Sequence, residues 1–294
     1  MGLFKYVTAD TAEKILKGSI RFTQPGAFND PFELLPQFAT DKDFADQLHN
    51  FRFCVLSPRR KGLDRSHIRI PDEYGSDIHA RKLVSAMNDQ IGILCLSRNL
   101  DSLSMWGHYA DEYRGAVIEF HEHHEFFNGL NSVKYQKRRP VFNITDFLGR
   151  DIPISDLCVK SKAWEYEKEV RVVRSVNDLK VSDVLIHGHK LLTMDVPISC
   201  IKAVYMGERM AVGAQQKIWS LVKDTNIALS LAAVSNWEYS FGYDLIKLPG
   251  ALIGTPIISP RTAHVFKDEP GDLGEIAQWM LDDHPLSEFF NQKC

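Results

Sequence analysis

Residues 91–97 read Ile-Gly-Ile-Leu-Cys-Leu-Ser, a short apolar run with no helix-length continuation. A run of that length is best taken as a central strand buried on both faces, because a half-exposed strand would alternate. Working outward, residues 4–7, 115–120 (GAVIEF), 132–135, 198–206 and 227–234 are further strand-length segments. Residues 19–23 alternate, with Ile20 and Phe22 facing one way. Residues 165–173 also read as a strand, with Glu167, Glu169 and Arg171 on one face and Tyr166, Val170 and Val172 on the other. Helical segments fall between these runs. Asp10 caps the first, with Glu13 three residues on and Ala12, Ile15 and Leu16 as its apolar face. Others are expected over 77–90, 102–112, 156–163 and 213–225. Strands and helices mix without a regular βαβ rhythm, so the expected class is α+β, a central mixed β-sheet flanked by helices.

The core domain is expected over residues 1–248. Within it, residues 41–90 read as an insertion, polar over 41–75 and carrying the basic run Arg59, Arg60 and Lys61. Pro249, Pro256 and Pro260 mark a change of character, and residues 249–294 read as a C-terminal appendage with one helix, begun by Asp272 and Glu275.

The chain has 294 residues, 44% hydrophobic and 25% charged, enough for a core able to enclose a polar site. A net charge of −3 gives no overall basic field for nucleic acid, although local basic patches are compatible with it. The five cysteines, at 54, 95, 158, 200 and 294, are odd in number and lie at no metal-ligand spacing. A reducing, cytoplasmic location fits them. No apolar stretch of membrane-spanning length and no signal peptide is visible. The phosphate-loop, dinucleotide-fingerprint and nucleophile-elbow motifs are all missing. The HEHHE run at 121–125 has Glu125 where a zincin would need histidine, and reads as a solvated turn after a strand.

Three blocks concentrate the polar chemistry. In FNDPFE (28–33), Asn29, Asp30 and Pro31 form a strong turn that would hold two short polar side chains and Glu33 rigidly. The plainer reading is an Asx-turn flanked by core phenylalanines. In WGHYADE (106–112), Trp106 and Tyr109 share a helix face, with His108 and Asp111 on a neighbouring one. That is either an aromatic core face or a platform for a planar ring. In WEYEKEVR (164–171), Glu167 and Glu169 would raise each other's pKa unless Arg171, Lys160 or Lys162 offsets them.

These blocks resemble a large uncharacterised bacterial family with a Lys-Tyr first strand, FNDPFE, a Trp-x-His-Tyr-Ala-Asp helix and a Trp-x-x-Glu-x-Glu-x-Arg block. The resemblance runs over about residues 3–175. The order of elements is also similar to the DarT-type branch of the ADP-ribosyltransferases, in which an early strand–helix–strand unit walls the NAD cleft and a later strand carries the catalytic Glu. That likeness implies an NAD-cleaving transferase or glycohydrolase, with a toxin or phage-defence role. NAD would be its substrate, the acceptor a protein or nucleic acid.

It further implies that Glu169 stabilises the ribosyl cation, with Glu167 as alternate or acceptor-side base and Arg171 beside them. Tyr6 or Trp106 would stack on nicotinamide. Asn29, Asp30 and Ser97 would hydrogen-bond ribose or carboxamide, with His108 and Tyr109 also in the NAD site; Arg21 and Arg98 compete for the family's nicotinamide-site arginine, and an arginine would meet the pyrophosphate. Two other classes compete. One is a nucleotide- or partner-binding module without catalysis. The other is a metal-dependent nuclease built on Asp30, Glu33, Asp111 and Glu169.

Overall fold

The computed structural model describes residues 2–39, 72–143, 154–250 and 256–290. In chain order its strands are β1 (Leu3–Val7), β2 (Ser19–Phe22), β3 (Gln37–Ala39), β4 (Ile91–Ser97), β5 (Ala116–Phe120), β6 (Leu130–Ser132), β7 (Lys134–Gln136), β8 (Val141–Asn143), β9 (Val159–Ser161), β10 (Glu169–Ser175), β11 (Lys180–Ile186), β12 (His189–Asp195), β13 (Ile201–Met206), β14 (Ala228–Val234) and β15 (Phe241–Lys247). The helices are α1 (Ala9–Leu16), α2 (Asp72–Asn88), α3 (Leu103–Tyr109), α4 (Ile154–Leu157), α5 (Val212–Val222), α6 (Asp272–Asp282) and α7 (Ser287–Phe290).

The class is α+β, built on an eight-stranded mixed sheet ordered β15-β14-β13-β5-β1-β4-β10-β6. Its one parallel pair is β13 with β14. A smaller sheet, β11-β12-β2, stands beside it. The two sheets meet at β4, and this junction opens a cleft. One edge of β4 pairs with β10 along all seven residues, from Glu169↔Ser97 to Ser175↔Ile91. The opposite edge is shared. Ser97 pairs with Phe4 of β1, while Ile93 exchanges backbone hydrogen bonds with Thr23, just past β2. Between those two points the sheet splits. The carbonyl of Cys95, which a continuous ladder would have paired, accepts instead from Lys5 Nζ at 3.1 Å.

Several elements differ from the sequence reading. α1 is capped by Thr8, whose hydroxyl accepts from the Thr11 N–H, so Asp10 lies in the first turn and does not cap. α3 ends at Tyr109 because Asp111, Glu112 and Tyr113 all take positive φ, and the Gly115 N–H closes back on the Ala110 carbonyl at 2.7 Å. The 156–163 helix is replaced by α4 and β9, and the 132–135 strand divides at Val133 into β6 and β7. The 165–173 strand starts only at Glu169, after a 3-10 turn over Lys162–Glu167 and a left-handed Lys168 at φ 44°. The β11–β12 hairpin and β15 had no counterpart in the sequence reading.

Most of the 41–90 segment lies outside the described residues. Its last part, α2, packs Ala80 and Met87 into the interior. The tail carries α7 as well as the expected α6. Ala263, Val265 and Phe266 belong to the same apolar core as Ile15 and Trp219, and Glu269 accepts from both Trp219 and Lys223. No helix among the described residues is long and apolar enough to cross a membrane.

Candidate active site at the sheet split

The split opens into a cavity of about 300 Å³. β1 contributes Lys5 and Tyr6, β2 contributes Arg21, and β4 contributes Cys95 and Ser97. Ile20 and Phe22 are buried in the core, so strand parity turns Arg21 to the other side. Phe28 and Asn29 of FNDPFE, Tyr109 of α3, Lys160 of β9 and the carboxylates Glu167 and Glu169 complete the polar part of the wall.

Beneath the cavity lies a buried charge network. Arg171, fully buried, holds Glu169 with two hydrogen bonds and also pairs with Glu33. Lys160 Nζ lies 2.7 Å from Glu167, 3.3 Å from Glu169 and 3.3 Å from Glu33. Three carboxylates thus surround two cations. Burial pushes the Glu169 carboxyl up, but the Arg171 guanidinium and Lys160 outweigh it and hold the group down at about 2. Glu33 goes the other way, its burial raising it above the ordinary carboxylate range despite Arg171 and Lys160. Burial opposes the charge on Lys160, yet Glu169, Glu33 and Glu167 together raise it above the ordinary lysine range. Lys5, buried and close to Arg21, is lowered.

Parity explains only half of this arrangement. Glu169 and Arg171 share a strand face, as expected, over Cys95 and Ser97. Glu167 reaches the same cavity from the 3-10 turn, through the left-handed Lys168. The Lys168 N–H bonds the Glu165 carbonyl, and its own carbonyl accepts from the Arg98 N–H. Ser97 Oγ donates to the Glu167 carbonyl at 2.6 Å, so this serine locks the turn. Both carboxylates are buried, Glu167 3% exposed and Glu169 7%. The offset by cations that the sequence allowed for is in place at Glu169, where Arg171 and Lys160 lower the carboxyl.

The other expected site residues separate into two groups. Tyr6, Arg21, Asn29, Ser97 and Tyr109 line the cavity. Tyr109 donates to Glu167 Oε1 at 2.6 Å and accepts from Asn29 Nδ2 at 3.3 Å, an unbroken polar chain across the wall. Tyr6 donates to the carbonyls of Asn99 and Leu100. Trp106 does not line the cavity. It is fully buried, edge-on to Tyr6 and Phe241, and forms core rather than a stacking platform. His108 is on the surface beside Tyr166, its Nδ1 3.0 Å from that hydroxyl, and not beside Asp111. Asp30 accepts from the Phe32 N–H and stays within its own turn. Phe28 lies under the Arg171 guanidinium, whereas Phe32, expected in the core, is 60% exposed. Arg98 pairs with Glu122, leaving Arg21 as the arginine of the cavity. His187, at the tip of the β11–β12 hairpin, also lines it, and nothing in the sequence singled it out.

Residues 105–172 match a family model described as a protein of unknown function (DUF2971). Searches of curated proteins and of solved structures gave no match. The DUF2971-like stretch runs from α3 into β10. It therefore carries Tyr109, Lys160, Glu167, Glu169 and Arg171, while FNDPFE lies outside it.

Of the four acids needed for a nuclease, Asp111 pairs with Arg114 on an exposed turn and Asp30 is tied to its own backbone. Glu33 and Glu169 are occupied by Arg171 and Lys160. They do not form one metal-binding set. In the HEHHE run, His124 accepts from the Phe126 N–H and meets Ser199.

Proposed function

We propose that the cavity at the sheet split binds NAD and cleaves its nicotinamide–ribose bond. The observation that carries this reading is the carboxylate Glu169, fixed by Arg171 and Lys160 and held well below the ordinary carboxylate range, in the wall of an aromatic-lined cleft that also holds Arg21. When the bond breaks, its electron pair leaves with neutral nicotinamide, and positive charge develops on the ribosyl carbon. A fixed, permanently ionised carboxylate stabilises that charge without reorganising. Glu169 is too acidic to accept a proton near neutrality, so its part is electrostatic. Glu167, held by Tyr109 and Lys160, stands on the acceptor side. Tyr6 and Phe28 offer aromatic walls to nicotinamide, Asn29 and Ser97 offer polar groups, and Arg21 offers a cation to the pyrophosphate. A toxin or defence role agrees with such chemistry.

One observation favours a second reading, a nucleotide-binding module without turnover: every oxygen of Glu167 and Glu169 already has a partner within the network. Nicotinamide release from NAD, measured on the wild type, Glu167→Gln and Glu169→Gln below their melting temperatures, separates the two. Release by the wild type and loss in Glu169→Gln supports cleavage. NAD binding by calorimetry with no release supports the binding module, and neither binding nor release overturns both.

A further inference from the structure

Lys160 lines a second cavity, of about 220 Å³. One wall is the end of FNDPFE and the turn after it, with Phe32, Leu34, Leu35 and Pro36. The other comes from the β7–β8 connection and β9, and includes Lys137, Arg138 and Arg139. With Lys134 these give four cations in the six residues 134–139, in a chain of net charge −3. Lys160, Arg171, Arg98 and Arg114 are each matched to carboxylates. Among the described residues, no ion pair joins Lys137, Arg138 or Arg139 to an acid. Exposed cations that no carboxylate faces leave a local positive field that attracts an anion.

Phe32 supplies the second element. It is largely exposed while Leu34 and Leu35 beside it are buried. Its exposure is built into the turn, because its N–H is held by Asp30 Oδ1 at 2.9 Å and its carbonyl by the Leu35 N–H at 3.2 Å. The opposite wall is pinned as well, by the Gln37 N–H on the Pro140 carbonyl and by the β3–β8 and β7–β9 ladders. A fixed exposed aromatic face beside unmatched cations is the combination that takes a base by stacking and its phosphate by charge. Gln136 and Ser161 add hydrogen-bonding groups within the cleft.

We propose that this cleft binds a single nucleotide unit, its phosphate on Lys137, Arg138 and Arg139 and its base on Phe32. At about 220 Å³ this cavity is smaller than the one at the sheet split, and only one nucleotide unit is assigned to it. The site is separate from the NAD reading and does not depend on it. The nucleotide is either free or part of a single strand, and the test distinguishes these.

Fluorescence anisotropy of the full chain with a fluorescein-labelled single-stranded DNA decamer, in the absence of NAD, reads strand binding. Calorimetry with AMP reads the free nucleotide. The expected result is binding of at least one probe, with strand affinity falling as salt rises. The Arg138→Ala/Arg139→Ala double variant should weaken it at least tenfold and flatten the salt slope. Phe32→Ala should weaken it by about tenfold with the slope unchanged, as for one lost stacking contact. AMP binding that the double variant loses assigns a free nucleotide; strand binding without AMP binding assigns the strand. Failure of both probes to bind the folded wild type overturns the proposal, as does equal binding by wild type and double variant. Nicotinamide release does not enter either readout, so an inactive wild type leaves this test intact.

Discussion

Arg171 grips Glu169 with both arms of its guanidinium, Nε to Oε1 at 2.8 Å and Nη2 to Oε2 at 3.0 Å, and no part of the arginine reaches solvent. The two residues are only two apart on β10, so a single strand face carries both the charged group of the cavity and its counterion. Glu33 binds the same guanidinium from the FNDPFE turn, and the network therefore ties the first polar block to the last.

Arg171→Met should be strongly destabilising. It leaves Glu169 and Glu33 buried with only Lys160 to compensate them, and breaking a buried pair from one side costs about 3–5 kcal/mol. Arg171→Lys should recover only part of this, because an ammonium cannot make the two parallel bonds. Urea unfolding of the three proteins measures it. A loss under 1 kcal/mol for Arg171→Met would mean that the network is not a stabilising unit.

Acid stability follows from the two opposite carboxyls. Glu169 is held at about 2 in the folded chain, against an ordinary 4.5. Its contribution, about 3 kcal/mol, is fully present above 4.5 and is lost as pH falls from there through about 2. Glu33 is raised, so the folded state holds its proton more tightly, and its ionisation works against folding as pH rises above the ordinary carboxylate range. Glu169→Gln should therefore lose stability at neutral pH and flatten the acid transition. Glu33→Gln should lose much less at neutral pH, since three carboxylates face two cations. Denaturant unfolding at a series of pH values checks both slopes.

Trp106→Ala should cost about 3–5 kcal/mol of stability through the cavity left among Tyr6, Phe241 and their neighbours. Trp106→Phe should keep most of the stability and leave ligand binding at the sheet split unchanged. A Trp106→Phe protein that folds normally yet loses NAD binding would restore this tryptophan to the site.

Tyr109→Phe should remove the hydrogen bond to Glu167 and break the chain to Asn29, at a folding cost of about 1 kcal/mol. NAD binding or nicotinamide release should fall by more than that cost implies, because Glu167 loses its orientation. Parallel melting and activity curves decide it, and equal small losses in both would confine Tyr109 to a structural part.

Much of the sheet was legible because its central strands are mostly apolar segments of strand length: IGILCLS, AVIEF and the strands β13 and β14, interrupted only by single polar residues such as Glu119, Lys202 and Ser230. The β11–β12 hairpin was not, since most of β11 faces solvent and Val184 and Leu185 are exposed. A strand without an inside leaves no alternation to read. In the site, the strand parity of Glu169 and Arg171 was readable. The partner Lys160 was foreseen only as a cation able to offset the glutamates, because a helix was expected where β9 lies. Trp106 misled because an aromatic helix face has the same spacing whether it meets a ligand or the core. The contribution of His187 depends on a hairpin that the sequence hid.

The left-handed Lys168 sets a rule that strand periodicity does not. Glu167 and Glu169 stand two residues apart, the interval at which any strand would align them, but one lies on a helical turn and the other on a strand. Their convergence depends on a single backbone reversal, pinned by Arg98 on one side and by Glu165 on the other. Lengthening or shortening the chain by one residue at this point would leave the register of β10 against β4 untouched while carrying Glu167 away from Tyr109 and Lys160. The separation of the two glutamates is therefore a constraint of the turn, and chains that preserve the sheet but alter this interval would keep the fold and lose the paired carboxylates.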